Sequence, residues 1–179
     1  MSLKVDSNLK ESKKMTGVVD TLTKFIELED QAVQDYIHKH NQFLKRIEEF
    51  EKLLSNGVSL GQVELAKIEY WYSKCQLYAY LIAGYYRKQQ FYYEAIAEQE
   101  QANMYEKVKL KQYDPLLHNS TDAQYLSRRA KGIQLETAAT HAGNYIRWNG
   151  IAMSYEFAIN SIKDMVKGGK AEQRGASFE

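Results

Sequence analysis

The stretch SLGQVELAKIEYWYSKCQLYAYLIAGYYRKQQFYYEAIAEQEQANMYEKVKLKQ, residues 59–112, keeps a helical pattern from end to end and contains no proline. It predicts one unbroken helix, opened by a possible capping box at Ser59 and Gln62. Asp114-Pro115 closes it, because the residue before a proline is pushed out of the α region. A helix of about 50 residues would be about 75 Å long, whereas a compact globule of this chain length is only ~40 Å across.

Two further helices are predicted on either side of this stretch. Between residues 18 and 56, apolar residues recur at spacings near three and four, and the pattern stops at Ser55-Asn56-Gly57. Part of this run forms a seam close to 3.5 residues per turn, with His40 in register, which implies a partner helix. The seam consists of Ile26, Val33, Ile37, Leu44, Ile47 and Leu54. A third helix is predicted over 122–167, opened by a possible capping box at Thr121 and Gln124 and ended by Gly168-Gly169.

The predicted fold is therefore all-α, with long helices in a helical hairpin or bundle, coiled-coil-like packing and an oligomeric state. Residues 1–17 are predicted to be a disordered arm, 18–56 an N-terminal coiled-coil-like helix, 59–167 a helical hairpin, and 168–179 a flexible tail. Such long helices either break at a glycine or pack against other copies of the chain, and the sequence favours oligomerisation aided by breaks. The candidate breaks are Gly84, Gly132, Gly143 and Gly150. Whether 18–56 packs on its own chain or on a neighbour stays open.

Oligomerisation is assigned to the third helix, where small residues let helix backbones come near each other. Asn149 and Glu156 lie seven residues apart in line with Ala142, and a polar residue on a packed stripe commonly fixes register and oligomeric state. A structural role is favoured over a binding role for this pair. The predicted oligomerisation residues are Ala142, Ile146, Asn149, Met153, Glu156, Ile159 and Ile162.

Composition points to a soluble cytoplasmic protein. The net charge is +1, with 24 basic and 23 acidic residues, so any binding to a polyanion must come from a local patch. Cys75 is the single cysteine, which fits a reducing interior. The polar, lysine-rich residues 1–15 argue against a signal peptide, and no apolar run is long enough to span a membrane.

No set of residues has the spacing of a catalytic or metal site. His38 and His40 point about 200° apart on a helix, and no Glu-x-x-His accompanies the Asp35 and His38 pair. His141 and Cys75 are most simply read as packed helix residues, and no Walker or dinucleotide loop occurs. The prediction is a protein without catalytic residues, metal or cofactor. An enzyme of helical-bundle type is the least favoured alternative.

Basic residues next to aromatic rings suggest binding of single-stranded nucleic acid. Tyr85-Tyr86-Arg87-Lys88 precedes Phe91-Tyr92-Tyr93, and cations for phosphates beside rings for stacking are what such binding needs. On pattern alone, rings that fill a helix interface are the favoured interpretation. A hairpin closed around Pro115 would also bring six cations to one end, although most charge runs are only solvated faces. These cations are Lys107, Lys109, Lys111, Arg128, Arg129 and Lys131.

Three segments resemble the UvsY-type recombination mediators of tailed bacteriophages. Residues 157–165, FAINSIKDM, with Trp148 nine residues before them, resemble that family's C-terminal helix. Lys107-Val108-Lys109-Leu110, followed by Tyr113, is similar to its DNA-contacting stretch, and residues 67–70, KIEY, to the start of its first long helix. The resemblance covers roughly residues 60–170. The helix at 18–56 is an addition, and the loop at 115–121 departs from the family's pattern.

The resemblance implies a ring-like homo-oligomer that binds single-stranded DNA and helps to load a RecA-like recombinase where single-strand-binding protein sits. It implies a phage-encoded protein of the host cytoplasm, in which Lys107 and Lys109 contact DNA and the helix at 139–166 holds the oligomer together. Charge and aromatic placement add further DNA-binding candidates to this pair, namely Lys111, Arg87, Lys88, Arg128 and Arg129. The alternative function is a coiled-coil structural or scaffolding protein of a phage, indifferent to DNA.

Overall fold

Three long helices form the protein. The structure, a computed structural model, describes the backbone of residues 3–56 and 60–175, and the side chains of residues 28–53, 55–56 and 60–168. Helix α1 spans Leu3–Ser55, α2 spans Gln62–Lys109 and α3 spans Ser120–Gly175. No strand occurs in the described backbone, which confirms the all-α prediction.

Each helix runs without a break. The 48 residues of α2 correspond to a rod of about 72 Å. The helices continue through Gly84, Gly132, Gly143 and Gly150, so the predicted breaks at these glycines are absent. Glycine lowers helix stability by about 1 kcal/mol relative to alanine but keeps its backbone N–H, and a single one therefore does not end a helix. Helix α3 likewise continues through Gly168-Gly169, where its end was predicted. Helix α1 continues back through Gly17 to Leu3, although its start was predicted near residue 18.

The chain reverses direction between α2 and α3 through local hydrogen bonds. Lys111 has φ of 55°, and the N–H of Gln112 donates to the Lys107 carbonyl at 2.9 Å, as in a Schellman C-cap. The Asp114 carboxylate accepts the N–H of Leu116 at 2.9 Å and rigidifies the turn at Pro115.

Asn119, not Thr121, caps the start of α3. Its side-chain oxygen accepts the N–H of Asp122 at 2.8 Å, the contact that an N-cap residue makes. The predicted capping box at Thr121 was wrong because α3 begins at Ser120, two residues before the predicted start at residue 122. Ser59 of the other predicted capping box lies outside the described residues, and α2 has Gly61 at its N-cap.

Helices α2 and α3 form an antiparallel hairpin along their whole shared length. Near the turn, Lys109 Nζ lies 3.2 Å from Ser120 Oγ. At the far end, Lys163 Nζ lies 3.8 Å from a Glu69 carboxylate oxygen. The hairpin predicted from Asp114-Pro115 is therefore present, and it is one long arm rather than a compact bundle.

Helix α1 packs antiparallel on α2 of its own chain. Tyr72 donates a hydrogen bond to Glu51 at 2.7 Å, and farther along Tyr85 donates to Asp30. The sequence left open whether residues 18–56 pack on their own chain or on a neighbour. The part whose side chains are described packs on its own chain. Ile26 and Leu54 of the predicted seam lie outside that part.

The core forms where all three helices meet. Val33, His40 and Ile47 of the predicted α1 seam are buried, at the seven-residue spacing of a helix facing one partner. The central buried residues are Ile47, Cys75, Ala79, Ala152 and Tyr155. Alanine and cysteine at these positions let the helix backbones come close, and larger rings close the sides of the cluster. These flanking residues are Phe43, Leu44, Trp71, Tyr72, Trp148 and Ile151.

Candidate nucleic-acid interface

The turn of the hairpin gathers basic residues from two helices. We call residues 105–129 the hairpin tip. Lys107, Lys109 and Lys111 come from the end of α2, and Arg128 and Arg129 from the third turn of α3. All five side chains are exposed. The antiparallel closure of the hairpin is what brings them to one end of the molecule.

These five cations have no acidic partner among the residues whose side chains the structure describes. None of them forms an ion pair with a residue whose side chain the structure describes. Lys131, predicted to belong with them, differs because its ammonium lies 2.6 Å from Glu98. The tip contains five basic and three acidic residues. Its positive charge is therefore available to a polyanionic ligand.

Three exposed tyrosines accompany the cations. Tyr105, Tyr113 and Tyr125 are 39%, 53% and 65% exposed. Val108 and Ala123 on the facing sides of the two helices are fully buried and hold the hairpin together. The sequence interpretation named Tyr113 only through the family resemblance and missed Tyr105 and Tyr125. Their position two or three residues from Lys107 and Arg128 was the available signal.

Arg87 and Lys88 do not belong to the hairpin tip. They lie twenty and nineteen residues before Lys107 on α2, or about 30 Å along the helix axis. The Arg87 guanidinium lies over the rings of Phe91, at 4.4 Å, and Tyr145, at 5.2 Å. Lys88 pairs with Glu29 of α1. Arg87 therefore contacts one ring of its own helix and one of α3, and Lys88 joins α2 to α1.

Two of the aromatic rings near Arg87 lie in a helix interface, whereas Phe91 and Tyr92 are 52% and 44% exposed. Tyr93 stacks on His141 of α3 with 5.2 Å between ring centroids and an interplanar angle of 11°, and Tyr86 lies against the same imidazole. For Tyr86 and Tyr93, this is the arrangement that the pattern alone favoured. Burial lowers the pKa of His141, and the Asp30 carboxylate partly opposes this shift.

The predicted oligomerisation residues are divided between two faces of α3. Ile159 and Ile162 are each 7% exposed and belong to the core of their own chain. Ala142 and Asn149 are half-buried, and Glu156 is exposed. Ile146 and Met153 are 68% and 48% exposed. Helical spacing alone could not separate these positions, because it does not say on which side the first partner packs.

His40 links the three helices through a buried hydrogen bond. Its Nε2 lies 2.9 Å from the hydroxyl of Tyr155 on α3, and its Nδ1 lies 3.1 Å from Asn41 Oδ1. Because an amide oxygen can only accept, the neutral imidazole donates from Nδ1 and accepts the Tyr155 hydroxyl proton at Nε2. The His40 backbone carbonyl also contacts the Cys75 thiol, with 3.7 Å between O and Sγ.

This arrangement predicts that the protein loses stability in mild acid. Burial holds the pKa of His40 below its ordinary 6.5, although the hydrogen bond to Asn41 acts in the opposite direction. The unfolded chain therefore binds this proton more readily than the native chain. The free energy of unfolding should be greatest above pH ~6.5 and should fall as the pH decreases through the lower native pKa.

Urea unfolding at pH 7.5 and pH 5.5 measures this effect. The His40→Gln variant should show a smaller difference between the two pH values than the unmodified protein. The matched variant His38→Gln changes an exposed imidazole that contacts Gln42, and should leave the difference unchanged. An identical pH dependence in the unmodified protein and in His40→Gln would contradict the assignment.

Cys75 is fully buried, and burial raises the pKa of its thiol to about 12, so the thiol is protonated at neutral pH. Among the described residues, no group of three histidine, cysteine or acidic side chains is placed to hold a metal ion. Within the described helices there is no segment of the length and apolarity that a membrane crossing needs.

Comparison of the chain with protein-family models, with curated proteins and with solved structures found no match.

Proposed function

We propose that the protein binds single-stranded DNA through the hairpin tip and acts as a recombination mediator of the UvsY type. The observation that carries this proposal is the tip itself, where exposed lysines and arginines without ion-pair partners among the described residues lie among exposed tyrosines. Single-stranded DNA offers phosphates to cations and unpaired bases to rings, so it matches both parts of this surface. Duplex DNA keeps its bases stacked inside and would use the cations alone.

The mode of binding follows from the size of the tip. Five cations can contact about five phosphates, and stacking on tyrosine accepts any base. A single tip therefore binds weakly and without sequence preference. Several tips presented by a homo-oligomer would hold one strand together, because each further contact becomes intramolecular. A strand held in this way at several points, and released in high salt, suits the hand-over from single-strand-binding protein to a RecA-like recombinase in the host cytoplasm.

A second candidate function is a scaffolding role in phage assembly. It is favoured by large apolar side chains that lie on the outer face of α3, such as Ile146 and Phe157, which are 68% and 73% exposed. This function needs association between copies but not DNA. Binding of DNA by the hairpin tip distinguishes the two.

The proposal is tested by fluorescence anisotropy of labelled oligo-dT at increasing salt. The unmodified protein should bind, and its log affinity should fall by about 0.7 per phosphate contact for each decade of salt. The Lys107→Gln/Lys109→Gln variant should bind more weakly at low salt and lose about 1.4 from that slope. Both side chains are exposed, so their replacement should leave the fold intact.

The matched control removes two lysines at the opposite end of the hairpin. Lys163 and Lys167 are exposed on the last turns of α3 whose side chains are described. The Lys163→Gln/Lys167→Gln variant should bind oligo-dT as the unmodified protein does. No binding at low salt would refute the proposed function. Equal losses in the tip variant and in the control would remove the tip as its site.

A further inference from the structure

The outer face of α3 carries a row of six exposed apolar or small residues. They follow one another at alternating spacings of four and three, which keeps them on one side of a helix. We call this row the α3 seam. It consists of Ala139, Gly143, Ile146, Gly150, Met153 and Phe157, all of them exposed. The seam faces away from α2, since Ala152, Tyr155 and Ile159 on the opposite side are buried.

Contacts among the described residues do not explain the α3 seam. Ile146, Met153 and Phe157 are 68%, 48% and 73% exposed. A side chain at Gly143 or Gly150 would have open space, because nothing lies within 4 Å of the position of an added Cβ. Glycine inside a helix lowers helix propensity relative to alanine. Two mid-helix glycines beside exposed apolar residues therefore leave room for another backbone to approach closely here.

Two of the rings exposed on α2 differ from the residues of the seam. Tyr70 and Phe91 lie under the cations of Lys74 and Arg87 from the same helix. On the α3 seam, within the described residues, the polar contact is a single one from Asn149 Nδ2 to Met153 Sδ at 3.8 Å. The seam itself contains no cation, so a nucleic acid is not its partner.

The order of sizes along the seam identifies the partner. We propose that the α3 seam binds the α3 seam of a second copy of this chain, antiparallel, about a two-fold axis at the level of residue 148. In this pairing, residues whose numbers add up to 296 lie opposite each other. Phe157 then faces Ala139, Met153 faces Gly143 and Ile146 faces Gly150, so every large side chain meets a small residue. A two-fold contact repeats each pair in both directions.

The parallel arrangement lacks this complementarity. In register, it places Phe157 on Phe157 and Gly143 on Gly143, which crowds one level and leaves a gap at another. It also places Glu136 against Glu136 at the end of the seam, where like charges repel. The antiparallel pairing places Glu136 opposite Asn160, whose amide can donate to the carboxylate.

The size of the seam sets the strength of the dimer. Eighteen residues separate Ala139 from Phe157, so the contact is about 27 Å long and about 10 Å wide. That footprint is well below the roughly 800 Å² per partner of a standard interface. The dimer should therefore dissociate on dilution. The inference rests on the proposed function for its biological purpose, since a two-fold pair carries a hairpin tip at each end, with the two starts of α3 about 84 Å apart along the helix axis, but its test needs no DNA.

The test is sedimentation equilibrium without DNA across micromolar concentrations. The unmodified protein should show a concentration-dependent monomer–dimer equilibrium. The Gly150→Ile variant places two isoleucines opposite each other and should weaken the dimer by at least about 10-fold. The Ile146→Gly/Gly150→Ile double variant exchanges the sizes, restores one large residue opposite one small residue, and should recover most of the affinity.

A matched control and a distance measurement complete the test. Gly168 is exposed, in open space and outside the seam, so Gly168→Ile should leave the equilibrium unchanged. Spin labels on Glu136→Cys should lie about 36 Å apart along the helix axis in the antiparallel dimer, but side by side in a parallel one. Cys75 is fully buried and should stay unlabelled.

Each outcome decides one question. A strictly monomeric protein, a double variant as weak as Gly150→Ile, or adjacent spin labels would overturn the antiparallel pairing. A monomer that still binds oligo-dT through its tip would overturn this inference and leave the proposed function intact. A dimer of the expected geometry that ignores oligo-dT would do the reverse.

Discussion

Replacement of Ile47 by alanine is expected to lower the free energy of unfolding by about 2–5 kcal/mol, the usual cost of deleting most of a fully buried isoleucine side chain. Ile47 is 2% exposed and belongs to the cluster where all three helices meet. It also lines an apolar cavity of about 190 Å³ together with Phe50, Ile68 and Ile162. The deletion would enlarge that cavity rather than let the long helices collapse into it.

Urea unfolding followed by circular dichroism measures this effect. The matched variant is Ile133→Ala, which makes the same chemical change at a position that is 59% exposed. It should change the free energy of unfolding by at most about 0.5 kcal/mol. Similar losses in the two variants would mean that the junction of the three helices does not hold the fold together.

Removal of the tyrosine rings at the hairpin tip is expected to produce the largest change in DNA affinity. Stacking of a base on an aromatic ring contributes about 1–3 kcal/mol, so each tyrosine that stacks accounts for roughly 5- to 150-fold in affinity. The variant Tyr105→Leu/Tyr113→Leu/Tyr125→Leu keeps apolar side chains and all five cations of the tip. Its affinity for oligo-dT should fall by the combined effect, while the salt slope stays unchanged.

The unchanged salt slope separates stacking from charge. Substitution of the lysines should reduce both the affinity and the slope, whereas substitution of the tyrosines should reduce the affinity alone. Tyr80 and Tyr92 provide the control, because they are 42% and 44% exposed on α2 away from the tip. The Tyr80→Leu/Tyr92→Leu variant should bind as the unmodified protein does. If the tip variant also binds normally, the bases do not stack there.

Much of the architecture could be predicted from the sequence because it depends on local spacing. Two long helices joined by a tight turn could be predicted from the absence of proline in residues 59–112 and from the pair Asp114-Pro115. A buried seam on α1 could be predicted from the seven-residue spacing of Val33, His40 and Ile47. Helical periodicity shows which residues share a face, and these assignments needed nothing more.

Tertiary structure alone decided what each face meets. Periodicity placed Ile146, Ile159 and Ile162 in one predicted set, yet α2 covers the last two and leaves Ile146 outside. The family resemblance and the placement of charges and rings put Arg87 and Lys107 among the same candidates. The two residues are far apart along α2, and Tyr145 and Phe91 lie against Arg87. A sequence specifies directions around a helix axis, whereas the identity of the neighbour depends on contacts between residues far apart in the chain. Those long-range contacts bring the lysines and tyrosines of the hairpin tip together and leave the α3 seam exposed.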